Sequence, residues 1–307
     1  MPIAGHVAIP RAIWPIRRRF NMGMGWHEWP LMLFTVLGQS VVGATLVMAG
    51  AVIGGNLNEQ QGRAVHRSMF CLWLLMGIAF VASTLHLGSP LRAFNSLNRI
   101  GASALSNEIA SGALFFAVGG FYWLLAILGR MPPALGKVWL WVTMALGVVF
   151  VYAMTRVYQI DTVPTWHNGY TTLNFFLTTL ICGPLLGVLL LRAAGLAVSA
   201  RYSLAILSVV ALLASLCAVM MQGYELASIN SSVQQASTLI PQYGQLMVGR
   251  LVLVVSGLGC WICPLLRRGN ASVMGMVLGL ILVIAGELVG RGVFYGLHMT
   301  VGMAVAG

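Results

Sequence analysis

Residues 30–53 read PLMLFTVLGQSVVGATLVMAGAVI, an unbroken run without a single charge. Wound as an α-helix at about 1.5 Å per residue, such a run reaches about 36 Å, enough to cross the roughly 30 Å hydrocarbon layer of a bilayer. Glu28 stands just before it and the polar group Asn58, Glu59, Arg63, His66 and Arg67 follows it. The same charge-free test, applied to the rest of the sequence, places further spans near 68–87, 107–129, 138–158, 171–191, 202–222, 246–266 and 272–297. The expected architecture is all-α, a polytopic integral membrane protein with eight transmembrane helices.

Composition supports this. Of 307 residues, 59% are hydrophobic and 7% are charged, against roughly 25% charged in soluble domains. The formal charge of +11 comes from 17 basic and 6 acidic residues. In a soluble protein it would suggest nucleic acid; here the bases lie mostly between apolar runs, the pattern of topology signals and lipid headgroup contacts. Residues 222–245 hold only Glu225 as a charge but many polar side chains, including Asn230, Gln234, Gln235 and Gln242. They are too polar for lipid and are expected to form the longest loop, partly helical.

An even number of spans puts both termini on one side. The first, third, fifth and seventh connections carry Arg63, Arg67, Arg130, Lys137, Arg192, Arg201, Arg267 and Arg268, whereas the opposite connections carry Arg92 and Arg99. The positive-inside rule makes the richer side cytoplasmic and places both termini outside. Arg11, Arg17, Arg18 and Arg19 lie on the wrong side for this rule. Residues 1–21 are therefore expected to fall outside the fold, as a start-site artefact before Met22 or Met24 or as an extension. Residues 1–28 read as a tail and 29–307 as one eight-helix membrane domain.

Cys260 and Cys263 form a C-x-x-C inside an apolar run, with no second pair or following histidine to complete a metal or haem signature. Small apolar packing is the better reading. His66 and His86 flank one span about 30 Å apart and cannot share an iron. His27, His86, His167 and His298 fall near helix ends on one side, so haem stays open from the histidines alone, on a weak signature.

Ionisable groups inside spans are costly and draw attention. Glu287 and Arg291 stand at i, i+4 on one helix in the favourable order, which reads as a self-neutralising structural pair. Arg156 and Arg250 read as snorkelling side chains at helix ends. His86 ends the second span and Glu108 begins the third, on the same side and at similar depth. An imidazole and a carboxylate there suit a two-electron, two-proton carrier, one accepting a hydrogen bond from a hydroquinone and the other relaying the proton. A buried hydrogen bond joining two helices fits the spacing equally well.

Residues 85–112, LHLGSPLRAFNSLNRIGASALSNEIASG, together with HEWPLM at 27–32, IDTVPTW at 160–166, SSVQQA at 231–236 and AGELVGRGVFYGLHMTVGMAVA at 285–306, resemble the DmsC family, membrane anchors of bacterial anaerobic dimethyl sulfoxide reductase. The likeness runs from about Met22 through all eight spans. It implies a haem-free, menaquinol-oxidising subunit of the bacterial inner membrane, anchoring a four-cluster iron-sulfur subunit and a molybdopterin catalytic subunit on the outer face. It further implies that His86 and Glu108 serve menaquinol binding, with Glu108 as proton acceptor. Arg92 and Arg99 are then expected at the cavity rim or against the partner subunit. Two other readings compete: a secondary transporter using Glu108, Glu287 and Arg291, which should show two similar halves that this sequence lacks, and a passive anchor without a quinol site.

Overall fold

The computed structural model describes residues 23–55, 57–86, 95, 97–196, 201–230 and 235–301. The sequence-based expectations for residues 1–21 and Arg92 lie outside the described residues.

A 3-10 turn, η1 (Gly23–Glu28), leads into α1 (Trp29–Gly54); α2 (Glu59–Leu85), α3 (Ala104–Ile127), α4 (Pro133–Val157), α5 (Gly169–Ala193) and α6 (Arg201–Glu225) follow. The short α7 (Ala236–Leu239), α8 (Tyr243–Leu266) and α9 (Val273–Gly296) complete the fold. Among the described residues, all but η1 and α7 are long and apolar enough to span a membrane, eight helices, with η1 extending the first of them. The polar 222–245 segment holds α7, in keeping with its composition.

Several ends differ from the charge-free runs, and α2 shows why. The charge test assigns Glu59, Arg63 and Arg67 to a connection, yet they lie on the first turns of α2. Asn58 caps those turns, accepting from the Gln61 amide at 2.8 Å while Gln61 accepts from the Asn58 amide at 3.1 Å. This reciprocal cap satisfies two orphan amides and lets the helix extend past the apolar layer. Asn168 and Ser272 likewise cap α5 and α9 through their side chains.

The two most buried spans, α1 and α5, form the centre of the bundle. They meet at Gly43 and Gly183, where a Cβ on Gly43 would lie 2.7 Å from the Gly183 Cα. Lipid offers no hydrophobic drive between helices, so close backbone approach supplies the packing energy. Helices α8 and α9 meet likewise, Gly257 facing Gly279 and Val283, while Gly290 lies against the Arg250 guanidinium. Replacing Gly183 by leucine should force α1 and α5 apart and cost about 1–3 kcal/mol, the usual penalty of overpacking. A fall in the thermal midpoint of the detergent-solubilised protein checks this, and Leu185→Met, a volume-conserving change two residues along, serves as the control.

The helix ends gather into two faces. At one, the site end, lie η1, the last turns of α2, α4, α6 and α9 and the first turns of α3, α5 and α8. Gly25 packs on Gly292 and Gly296 of α9, and the Val301 amide donates to the Thr162 carbonyl at 3.0 Å. The two ends of the described fold are thereby held together.

Candidate functional site

The site end is built on an aromatic cluster. Tyr158 follows the last residue of α4, and its ring meets Trp166, Phe175, Phe294 and Tyr295 at centroid distances of 5.2–5.6 Å. The Trp166 indole donates to the Phe294 carbonyl at 2.7 Å, and the Thr171 hydroxyl donates to the Trp166 carbonyl at 2.6 Å. These bonds fix the 158–168 connection against α9. The Tyr158 and Tyr295 hydroxyls lie 2.6 Å apart, both rings buried.

Above this floor opens a cavity of about 690 Å³ whose walls include Glu28, Leu31, His86, Ile160, Trp166, Leu239 and His298, with Tyr158 and Tyr295 at its base. Ligand pockets commonly fall between about 300 and 1,000 Å³. His86, just past the last residue of α2, sets its Nδ1 2.9 Å from Oε2 of Glu28, at the turn between η1 and α1. This is a close approach of imidazole and carboxylate rather than an aligned hydrogen bond, since Oε2 makes no hydrogen bond among the described residues. Both side chains are partly exposed, 42% for His86 and 36% for Glu28, so either can meet a ligand from the cavity.

Glu108 sits elsewhere. Gly101, in a left-handed conformation at φ 88°, turns the backbone into α3, and its amide donates to the Asn107 side chain at 2.6 Å. That turn brings Glu108 into the first turns of α3, where it is 4% exposed. One carboxylate oxygen, Oε1, is buried without a hydrogen-bond partner. Among the described residues Glu108 makes no ion pair with His86 and does not line the cavity. It lies within electrostatic range of Tyr158 and Tyr295. The two residues singled out in the sequence therefore occupy different places, one on the cavity wall and one buried in the first turns of α3.

Sequence reasoning missed Glu28, Tyr158 and Tyr295. For Glu28 the signal was present, because a protein with 6 acids that sets one beside a membrane run at the His86 end has few other uses for it. Nothing in the spacing tied Tyr158 to Tyr295, which lie 137 positions apart. Arg99 is exposed at the same end, its carbonyl accepting from the Ala102 and Ser103 amides before α3. His167 makes an exposed contact of 3.1 Å with Asp161.

The buried charges are wired differently from the i, i+4 expectation. Glu287 does not pair with Arg291; it accepts from Arg250 of α8 at 3.0 and 3.2 Å and from the Thr178 hydroxyl of α5 at 2.7 Å. Arg250, expected to snorkel, is instead 11% exposed and also donates to the Ser215 hydroxyl of α6 at 3.0 Å. Arg291 donates to the Gln39 side chain at 2.8 Å and stacks on Phe175 with its guanidinium carbon 3.7 Å from the ring centroid. The tertiary partners win because the glycines of α8 and α9 bring the two helices close enough for Arg250 to reach Glu287. Arg156 remains at its helix end and bonds the Gln159 side chain.

Eight apolar helices with a large cavity at one face define a polytopic membrane subunit. Residues 22–297 match the family model described as DMSO reductase anchor subunit (DmsC), and the protein belongs to that family. It is similar to the anaerobic dimethyl sulfoxide reductase subunit YnfH of Escherichia coli K12, at 62% identity over 93% of the present sequence and all of the relative. A second anaerobic dimethyl sulfoxide reductase subunit of the same bacterium is 59% identical over the same shares, and one from Haemophilus influenzae is 44% identical. The protein is thus a multi-pass membrane anchor subunit of the bacterial inner membrane.

Proposed function

We propose that the site-end cavity is where menaquinol is oxidised, and that its electrons pass to an iron-sulfur subunit docked over this face. The single observation that carries the reading is the His86–Glu28 pair on the wall of a cavity large enough for a quinol ring. Removing two electrons from a hydroquinone also releases two protons, so the site needs acceptors for both. Imidazole is suited to the first, and the Glu28 carboxylate lies 2.9 Å from it. The second proton goes toward Glu108, by way of the paired hydroxyls of Tyr158 and Tyr295 at the cavity floor.

The electrons continue through the iron-sulfur clusters of that partner to a molybdopterin catalytic subunit, which reduces dimethyl sulfoxide or a related S- or N-oxide. The catalytic cofactors thus lie in the partners, and the anchor supplies the quinol site. The arginine distribution supports placing this face, with both termini, on the outer side. Arg99, exposed at this end, is then placed to meet the docked partner.

Replacing Glu108 by glutamine removes the proton acceptor while keeping its shape. In the assembled reductase this should lower menaquinol-driven turnover by about 10²-fold, at the lower end of general acid–base contributions. Reduction driven by an artificial dye through the catalytic subunit should be unchanged. Equal loss of both activities would indicate a role in assembly instead.

A further inference from the structure

A second cavity, of about 270 Å³, opens toward lipid between α6 and α8. Its wall is almost wholly apolar, running from Gly223 and Tyr243 at the site end down to Leu212 and Val254. At 1.5 Å per residue that is about 16–17 Å, near one leaflet's depth. One charged side chain lines it: Arg250.

Arg250 belongs to a buried cluster with an excess of charge. Arg250 and Arg291 are opposed only by Glu287, so the cluster carries one positive charge more than negative. The other five acids of the sequence are Glu28, Glu59, Glu108, Asp161 and Glu225. Four are engaged elsewhere, with His86, Arg63, His167 and Tyr170 respectively for Glu28, Glu59, Asp161 and Glu225, and Glu108 is buried in the first turns of α3. The three hydrogen bonds of Arg250 all leave from Nη2. Nε lies against Gly290 of α9, whereas among the described residues Nη1 has no partner and is not a fully enclosed atom. Arg250 thus brings an unused donor to the groove that it lines.

We propose that this groove binds the oxidised form of an isoprenoid quinone, with a ring carbonyl accepting from Arg250 and the isoprenoid tail along the apolar wall of α6 and α8. Arg250 lies seven residues into α8, about 10 Å below its start. A phospholipid phosphate belongs at the interface, outside the hydrocarbon layer, and is costly to draw to that depth. A quinone ring is uncharged and resides in that layer. Guanidinium donates only, and a quinone carbonyl accepts only. A quinol hydroxyl would need an acceptor for its own proton, and the hydroxyls on this wall are already engaged, Ser215 by Arg250 and Tyr243 with the Val219 carbonyl. The groove therefore selects quinone over quinol, the reverse of the acceptor-bearing cavity at His86 and Glu28. Only the choice of quinone class rests on the proposed function; the groove and its unused donor do not.

The test is binding of menaquinone-4 to the intact complex in mild detergent, counted by extraction after washing. Val219→Trp fills the groove from α6, and Arg250→Lys keeps a charge for Glu287 but gives up the directed donor fork. Both should lose one bound quinone equivalent relative to the parent, with affinity for the remaining sites unchanged, and His86→Arg should retain that equivalent. Reduced menaquinol-4 should compete for it about tenfold less well than menaquinone-4. Unchanged binding in Val219→Trp, equal competition by quinol, or recovery of phospholipid alone as the groove-dependent molecule would overturn the proposal. Because the readout is binding and not turnover, a failure of the His86 site as the place of oxidation is seen separately.

Discussion

Arginine in place of His86 should reduce menaquinol-driven turnover of the assembled reductase by about two orders of magnitude or more, while dye-driven turnover holds. The substitution keeps a hydrogen-bond donor beside Glu28, so the contact between η1 and the end of α2 survives. What is lost is a ring that accepts a hydrogen bond and a proton, because guanidinium donates and never accepts. General acid–base groups commonly contribute 10²–10⁴-fold. The loss should appear in kcat as well as KM, since the group acts on the proton that moves during oxidation. A rise in KM alone would reduce His86 to a binding contact. Glu28→Gln should give a smaller defect of the same kind, as the His86 cation loses its counter-charge without losing its acceptor nitrogen.

The second large effect is structural. Replacing Arg250 by leucine leaves Glu287, 3% exposed, without its cationic partner in the low-dielectric interior. Breaking a buried pair from one side costs about 3–5 kcal/mol, mostly the penalty of the stranded charge. The expected result is a protein that loses its bundle in detergent at temperatures where the parent is intact. Arg250→Leu combined with Glu287→Leu removes one charge of each sign and should recover at least half of the loss. Recovery of that kind is the signature of a pair whose members need each other more than the bundle needs the pair. If the double variant is no better than the single one, the Thr178 and Ser215 hydrogen bonds matter more than the charges.

The spans were legible because lipid imposes one simple requirement, a long run without charge, and eight runs meet it. Helix ends were less so. The charge test stops at Glu59, Arg63 and Arg67, but a helix capped by Asn58 continues through them into water. The wiring of the buried charges was misread for a related reason. Spacing along α9 shows that Glu287 and Arg291 can meet, but the approach of α8 that makes Arg250 the better partner depends on tertiary contacts. Gly286 and Gly290, interleaved with the two charges, hinted at a close neighbour. At the site, His86 and Glu108 were visible as ionisable groups at one end of the bundle, whereas the Tyr158–Tyr295 pair at the cavity depends on residues far apart in the sequence.

Photolabelling reads directly whether quinol is oxidised in the site-end cavity. A photoreactive menaquinol analogue, kept reduced, is illuminated with the intact complex and the labelled peptides are mapped. The account predicts labels on Leu31, Ile160 and Leu239 around the cavity, suppressed by excess menaquinol and weakened in His86→Arg. Labels confined to the opposite face, around Arg130 or Arg267, with the cavity residues unmarked, would contradict it.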